Sequence, residues 1–183
     1  FVMTTSKGAK ITIDGTCLRD GASNVTGTVS LEVVEMYDNV NMALTNKTTI
    51  GINPTTGEKE QLETGGMFYV MAKKDGKELS TNCGVQIEIP AANTGGIKTG
   101  MQAFEGKIDN GNLTWETTTK FEAFPLASKG VYIMNPPGFG WFNCDKFYND
   151  TRPKTSITAL VPSGYGSNSV VYILTKRFPG SLG

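Results

Sequence analysis

Residues 85–90 read Val-Gln-Ile-Glu-Ile-Pro, and this short stretch indicates the fold class most clearly. Val85, Ile87 and Ile89 alternate with polar residues, which is the period-two pattern of a β-strand with one buried face. Pro90 has no N–H group to donate to a neighbouring strand, so it marks the end of the predicted strand. The stretch is therefore expected to be a half-buried strand.

The same signature recurs along the chain. Residues 28–33 alternate in the same way, but the adjacent Val33 and Val34 break the alternation and predict a bulge or a bend. Residues 67–71 (MFYVM) are apolar on both faces, as in a central strand of a sandwich. Shorter candidate strands lie at residues 10–13, 48–52, 102–104, 113–116, 131–134, 156–161 and 170–175.

Turns that contain glycine separate these strands. Asp75-Gly76 and Asn110-Gly111, for example, tolerate the positive φ angles of tight hairpin turns. Helical spacing is confined to residues 36–44, which predict a loop or an uncapped helix of about one to two turns. Many short strands with almost no helix predict an all-β fold, an antiparallel β-sandwich.

The length of 183 residues suits one large β domain or two small ones packed together. The composition shifts near residues 117–129, after which aromatic residues and proline become more frequent. We therefore predict a β-sandwich domain over residues 1–120 and a small C-terminal β module over residues 121–183 that packs on it.

Charge and hydropathy argue against several classes of protein. Seventeen basic and seventeen acidic residues cancel, and without a basic face the chain is not expected to bind nucleic acid. No run of 18 or more apolar residues occurs, so no transmembrane segment is predicted. The chain starts with Phe1 rather than Met, so we expect a processed or excised chain, whose association with a membrane would need an anchor that has been removed.

The sequence contains no histidine, which removes His-dependent catalytic triads and His-ligated metals from consideration. Paired carboxylates remain available in principle, but Glu32 and Glu88 alternate with apolar residues and are expected on solvated sheet faces. The oxygen-rich turn at residues 20–24 lacks the spacing of a calcium-binding loop. We therefore predict no metal, no cofactor and no catalytic residue.

The three cysteines, Cys17, Cys83 and Cys144, are widely spaced and match no metal-binding or redox motif. They allow at most one internal disulfide, and their spacing does not show which pair would form it. Because free cysteine is among the most buried residue types, a buried free thiol is the preferred interpretation.

Residues 141–148 (WFNCDKFY) form the candidate ligand-binding segment. Trp141 and Tyr148, with Asp145 between them, could stack on a sugar ring or anchor a protein partner if they are exposed. We favour the alternative, in which the aromatic side chains fill the core between two sheets and Asp145 holds a turn. The exposure of this segment decides between the two interpretations.

Three longer stretches carry a family resemblance: residues 25–38 (VTGTVSLEVVEMYD), 62–79 (LETGGMFYVMAKKDGKEL) and 140–149 (GWFNCDKFYN). Together they resemble a group of uncharacterised exported or surface proteins of Bacteroidetes-type bacteria. The first half is also similar to the ZU5-like β-sandwich, in which a G-x-V-x-L strand follows a turn, here residues 27–31. The resemblance implies a periplasmic, outer-membrane-anchored or extracellular setting, such as that of a lipoprotein, and brings no catalytic residues with it.

Together these observations predict a non-enzymatic, extracytoplasmic β-sandwich module with an interaction or structural role, whose partner is a glycan or a protein. One rival is a glycan-active enzyme, which would need a cleft with two facing carboxylic acids. The other is a fimbria-like assembly subunit, which would exchange strands with its neighbours through an exposed sheet edge.

Overall fold

The computed structural model describes residues 1–109, 111–149, 153, 157–166, 169–174 and 181–182. Its helical elements are α1 (Asn39–Leu44) and the 3₁₀ helices Gly15–Cys17, Ala91–Thr94 and Ala127–Lys129. Its strands are β1 (Val2–Thr4), β2 (Lys10–Thr12), β3 (Leu18–Asp20), β4 (Ser23–Asn24), β5 (Ser30–Met36), β6 (Ile50–Ile52), β7 (Lys59–Lys74), β8 (Lys77–Glu78), β9 (Ser80–Thr81), β10 (Gln86–Pro90), β11 (Gln102–Asp109), β12 (Asn112–Thr117), β13 (Ala123–Leu126), β14 (Val131–Met134), β15 (Gly140–Phe147), β16 (Ile173–Leu174) and β17 (Ser181–Leu182). The all-β prediction is confirmed.

The first of the two large sheets, called the outer sheet here, has the antiparallel strand order β1-β2-β10-β14-β13. The predicted strand at residues 85–89 is its central member, β10. Ile87 and Ile89 are fully buried while Gln86 is exposed, so the alternation is confirmed. Pro90 is the last residue of the strand and lies opposite Val131.

The second sheet, called the barrel sheet here, contains a closed barrel of five strands in the order β15-β11-β12-β6-β7. The barrel closes because β7 is 16 residues long and pairs with both β6 and β15. The β12–β6 pair is parallel and the other barrel pairs are antiparallel. Strand β5 continues the sheet on the far half of β7. The sandwich prediction did not include this closure.

Two apolar cores result from this arrangement. The inter-sheet core lies between the outer sheet and the barrel sheet, where Ile87 and Tyr132 meet Phe68 and Phe142. The barrel core lies on the other face of the barrel sheet and is centred on the fully buried Trp115. The indole N–H of Trp115 donates to the Thr48 carbonyl over 2.8 Å, so its one polar atom is satisfied inside the barrel.

Strand β5 shows the effect of having a core on each face. The register of β5 with β7 runs without a shift from Ser30 to Met36, so the bulge or bend predicted at Val33 and Val34 is wrong. Val33 packs against the inter-sheet core and Val34 packs against the barrel core. Two adjacent apolar residues therefore reflect burial on both sides of a regular strand.

The bulge lies in β7 instead, at Gly65 and Gly66. Asn143 is opposite Met67 and Asp145 is opposite Thr64, so β7 has one extra residue at this point. A side chain at Gly65 would lie 2.8 Å from the Cys144 carbonyl oxygen, and Gly66 has φ +140°. The extra residue inverts the alternation of side chains, so Leu62 before the bulge and Met67 after it both face the barrel core.

Strands on both sides of residue 120 belong to the same sheets. β13 and β14 pair with each other, and β14 pairs with β10 in the outer sheet. β15 pairs with both β7 and β11 in the barrel sheet. The predicted division at residue 120 falls in the connection between β12 and β13, and these pairings join the two sides by hydrogen bonds.

Three further sequence predictions have outcomes in the structure. The helix at residues 36–44 is α1, and it has a cap, because the Asp38 side chain accepts from the Asn41 N–H over 2.9 Å. Residues 157–161 form no strand, and of residues 170–174 only Ile173–Leu174 do. Ser156, Thr175 and Asn110 lie outside the described residues. Within the described part of the chain, no helix is long and apolar enough to cross a membrane.

Candidate functional site

Strand β15 contains most of the candidate binding segment and presents a different core on each face. Phe142 and Cys144 belong to the inter-sheet core. Trp141 and Phe147 pack against the barrel core on the other face. Since side chains alternate along a strand, Asp145 lies on the same face as these two rings. The expectation that aromatic side chains of this segment fill the space between the sheets is confirmed for Phe142 and wrong for Trp141 and Phe147, because these two lie on the opposite face of the strand.

The partly buried Trp141 lies in an aromatic cluster that sequence reasoning did not find. Tyr69 is directly opposite Trp141 in the β7–β15 pair, and their ring centroids are 5.1 Å apart at an interplanar angle of 37°. The Lys47 ammonium lies 5.7 Å from the centroid of the Trp141 ring. We call Tyr69, Trp141 and Lys47 the aromatic face.

A missing side chain on the neighbouring strand makes room for Trp141. A Cβ atom at Gly106 would lie 2.5 Å from the Trp141 Cβ and 2.8 Å from a Leu113 methyl group. Gly106 therefore lets the backbone of β15 approach β11 while the indole ring extends over the sheet. The position of the ring depends on a glycine 35 residues earlier in the sequence, which no local pattern reveals.

Charged side chains lie beside the aromatic face. Lys73 and Glu32 form a salt bridge of 2.8 Å on neighbouring strands. Burial raises the pKa of the Tyr69 hydroxyl, and the negative charges of Glu78 and Glu32 add to the shift. A ligand at the aromatic face would therefore meet apolar rings next to charged groups of both signs, and Tyr69 would meet it as a neutral phenol.

Asp145 is enclosed in the barrel sheet and has no exposed surface. Its Oδ2 accepts a hydrogen bond of 2.7 Å from the Asn143 amide, while its Oδ1 has no hydrogen-bond partner. Burial raises the pKa of Asp145 well above its ordinary value, and the nearby donors Thr64, Gly65 and Asn143 oppose that shift only in part. Asp145 lies within a strand rather than in a turn, and a ligand at the surface cannot contact its carboxyl group in this arrangement.

The neighbouring Glu63 is paired with two lysines, and its pKa is lowered where that of Asp145 is raised. Its carboxylate oxygens lie 3.0 Å from the Lys98 ammonium and 3.2 Å from the Lys146 ammonium. Burial opposes ionisation of Glu63, but the hydrogen bond and the charge of Lys98, supported by Lys146, lower its pKa overall. The two lysines thus favour the ionised form of Glu63, whereas burial disfavours the ionised form of the neighbouring Asp145.

The raised pKa of Asp145 predicts that the stability of the folded chain depends on pH. The folded chain keeps the proton of Asp145 at pH values where the unfolded chain has released it, near the ordinary pKa of 3.8. The contribution of Asp145 to the free energy of unfolding is therefore complete below that pH and declines as the pH rises towards the folded pKa. Asp145→Asn cannot ionise and keeps an oxygen for the Asn143 amide. We expect urea denaturation to show a gain in stability over the unmodified chain that grows from acid to neutral pH.

Glu63→Gln provides the comparison of opposite sign. The pKa of Glu63 is lower in the folded chain, so its contribution is present above the ordinary pKa of 4.5 and is lost as the pH falls through the folded value. We expect the loss of stability in Glu63→Gln to be largest at neutral pH. If the difference between Asp145→Asn and the unmodified chain were the same at every pH, Asp145 would not carry the buried proton.

Tyr148 lies away from Trp141. It follows the last residue of β15, is partly buried, and its backbone N–H donates to the Gln61 carbonyl over 2.9 Å. Seven residues of extended chain separate it from Trp141, which corresponds to about 23 Å. The three residues predicted from the sequence are therefore not one cluster, since Trp141 and Tyr148 lie near opposite ends of the strand and Asp145 is enclosed between them.

Two of the three cysteines form a disulfide, and the third is a buried free thiol. Cys17 and Cys83 form a disulfide, so the preferred interpretation of free thiols is wrong for these two residues. Cys144 is free and fully buried, as expected, and burial raises the pKa of its thiol well above the ordinary value. Asp14 lies beside the disulfide, but both sulfur atoms are bonded to each other and offer no thiolate to a metal.

Two of the surface cavities lie next to strands of the barrel sheet. One, of about 280 Å³, lies at the end of β6 and β12 and is lined by polar residues that include Asn46 and Asn112. The other, of about 130 Å³, is an apolar groove at the edge of the two sheets, beside β5. Neither cavity contains a pair of facing carboxylates among its described lining residues.

No family model, no curated protein and no solved structure matches this chain.

Proposed function

We propose that this chain is a non-enzymatic, extracytoplasmic binding module whose aromatic face stacks on a sugar ring. The observation that carries the proposal is the cluster of Tyr69, Trp141 and Lys47 on the barrel sheet, on the side opposite the outer sheet. All three side chains are partly exposed. Trp115, by contrast, is the tryptophan that the barrel core needs for packing.

The chemistry of the aromatic face suits a carbohydrate. The C–H face of a pyranose ring is apolar and packs on an indole or phenol ring in the same way as another ring would. The Lys47 ammonium supplies hydrogen-bond donors to hydroxyl or carboxylate groups at the rim of the sugar. Because Tyr69 and Trp141 lie on paired strands, their spacing is fixed by the sheet, which limits the conformational entropy lost on binding.

The disulfide supports an extracytoplasmic location. Disulfides persist in oxidising compartments such as the periplasm and the cell surface, and they are rare in reducing ones. Cys17, at the end of the 3₁₀ helix that precedes β3, is paired with Cys83 in the turn after β9. This agrees with the periplasmic, outer-membrane-anchored or extracellular setting implied by the family resemblance.

The carboxylates give less support to a glycan-active enzyme. A glycosidase needs two carboxyl groups on either side of the substrate, about 5 to 9.5 Å apart. Asp145 is fully enclosed and Glu32 is paired with Lys73. We therefore place the binding role ahead of a hydrolytic one.

Trp141→Ala tests the proposed function. We expect glycan-array screening of the unmodified chain to identify sugar ligands, and Trp141→Ala to weaken their binding by roughly tenfold or more through the loss of ring stacking. Tryptophan fluorescence would report the same event, because Trp115 is fully buried and Trp141 is the residue that a ligand can reach.

Phe124→Ala is the matched control for this experiment. Phe124 is another partly exposed aromatic residue, 43% exposed, but it lies on β13 of the outer sheet. Its replacement is expected to leave sugar binding unchanged. An array without a sugar ligand, or equal binding by Trp141→Ala and the unmodified chain, would overturn the proposed function.

A further inference from the structure

The two sheets are open to solvent along one edge, at the start of β5. The apolar groove there is lined by Phe1, Ile13, Leu18, Val29, Leu31 and Ala72. Val29 and Leu31 pack against the inter-sheet core but are only partly buried. The core is therefore incompletely covered at this edge of the sandwich.

Strand β5 borders the groove and has a free edge. Among the described residues it pairs with β7 on one side, and no strand lies on its other side. Its backbone N–H and C=O groups on that side can therefore accept an additional strand. A strand added there would place its inward side chains over Val29 and Leu31.

The other end of β5 is already closed. The Glu35 carboxylate accepts a hydrogen bond of 2.7 Å from the Thr5 hydroxyl and one of 2.9 Å from the Lys7 backbone N–H. The Ser6 hydroxyl donates to the same carboxylate over 3.2 Å. These bonds hold the β1–β2 turn against β5, so the opening between the sheets is confined to the end where Val29 lies.

The chain also contains a segment that suits this opening. Residues 157–161 (Ile-Thr-Ala-Leu-Val) have strand character, with Ile157, Ala159 and Val161 on one side of an extended chain. In the structure the segment forms no strand, and on that side Ile157 is 71% exposed and Val161 is 42% exposed. Apolar residues with this pattern are normally covered, and none of the described residues of the chain covers this segment.

We infer that the segment at residues 157–161 of one copy adds to the free edge of β5 of a second copy and covers the groove. The groove and the segment are both apolar, and the segment carries no charge. The five residues span about 17 Å when extended, which fits beside the seven residues of β5, about 23 Å. The groove of the same chain is open while its own segment is exposed, so the occupant comes from another molecule.

The geometry of this contact determines the kind of assembly. The groove and the segment are different surfaces of the chain, so the contact is head-to-tail and each added copy presents a new free groove. We therefore expect open-ended oligomers rather than a closed dimer. This interaction does not depend on the aromatic face, which lies on the opposite side of the barrel sheet from the inter-sheet core.

Sedimentation velocity of the full chain provides the first test. We expect concentration-dependent oligomers, and Ile157→Asp should weaken their association by at least about tenfold, because a carboxylate would have to be buried without a partner. Thr158→Asp adds the same charge on the side of the segment that faces away from the groove and should have a much smaller effect. A chain that stays monomeric at all concentrations, or one in which both variants behave alike, overturns the inference.

Cysteine cross-linking between two variants provides the second test and does not depend on a destabilising change. Under mild oxidation, a mixture of Leu31→Cys and Ala159→Cys should form disulfide-linked pairs, whereas Leu31→Cys with Thr158→Cys should not. A single chain that carries both Leu31→Cys and Ala159→Cys should also link between copies. If it links only within itself at every dilution, the segment covers its own groove and the second copy is the wrong occupant.

Discussion

Replacing Cys17 and Cys83 together by serine is expected to lower the free energy of unfolding by about 4 kcal/mol. The two residues are separated by 66 positions in the sequence, so the disulfide closes a long loop in the unfolded chain. Opening that loop raises the entropy of the unfolded state, and the cost increases with the logarithm of loop length. Urea denaturation of the oxidised chain and of the double variant would measure the difference.

Native contacts hold the two cysteines together independently of the disulfide. β3 and β9 pair directly, with Leu18 opposite Thr81, and the Asn82 N–H donates to the Cys17 carbonyl over 3.1 Å. The folded chain therefore already holds the two cysteines next to each other, and most of the effect falls on the unfolded state. A loss below about 1 kcal/mol would indicate that the unfolded chain keeps β3 near β9 without the disulfide.

Cys144→Ala is the control for thiol chemistry. Cys144 is fully buried and unpaired, so this variant removes a sulfur atom without changing a cross-link. We expect it to cost about 1 kcal/mol, through the small cavity that it leaves. It also shows whether the free thiol exchanges with the disulfide during unfolding, which would appear as a difference in reversibility.

Gly66→Ala is expected to lower the free energy of unfolding by about 3 kcal/mol. The φ angle of Gly66 is +140°, a conformation that residues with a side chain rarely adopt. A Cβ atom there would also lie 2.8 Å from a ring carbon of Tyr37 and 3.1 Å from a methyl carbon of Ile89. Tyr37 packs edge-on against Phe68, so its ring has little room to move away.

Gly76→Ala separates the two causes of this loss. Gly76 has φ +78° in the turn between β7 and β8, and a Cβ atom there would have open space around it. It therefore carries backbone strain without a clash, and we expect a cost of about 1 kcal/mol. If both variants lost the same amount of stability, the packing of Gly66 against the inter-sheet core would contribute nothing.

The barrel was not predicted because its closure depends on long-range strand pairing. The continuous apolar run at residues 67–71 predicts a strand that is buried on both faces. In the structure Met67, Phe68 and Val70 are buried, whereas Tyr69 and Met71 are only partly buried. The pattern does not show that the first half of the same strand pairs with β6 and β15 to close a barrel. That closure depends on pairing with β15, which lies about 80 residues later in the chain.

The candidate binding segment shows the same division between local and long-range information. Its sequence identified Trp141, and the alternation along β15 determines that Trp141 and Phe142 take opposite faces. Tyr69 and Lys47, which complete the aromatic face, carry no signal of their own. Tyr69 lies within an apolar run and Lys47 is one of many charged residues. Their proximity follows from cross-strand register and from the glycine at position 106.

The sequence by itself determined the all-β class, the strand at β10, and the turn at Asp75-Gly76, whose φ angles are +50° and +78°. These features depend on backbone preferences and on which face of a strand is apolar, and both are local properties. Only the tertiary structure decided the barrel closure, the Cys17–Cys83 pairing and the enclosure of Asp145. Each of these depends on which distant segment covers an apolar face, and that choice is made by the packing of the whole chain.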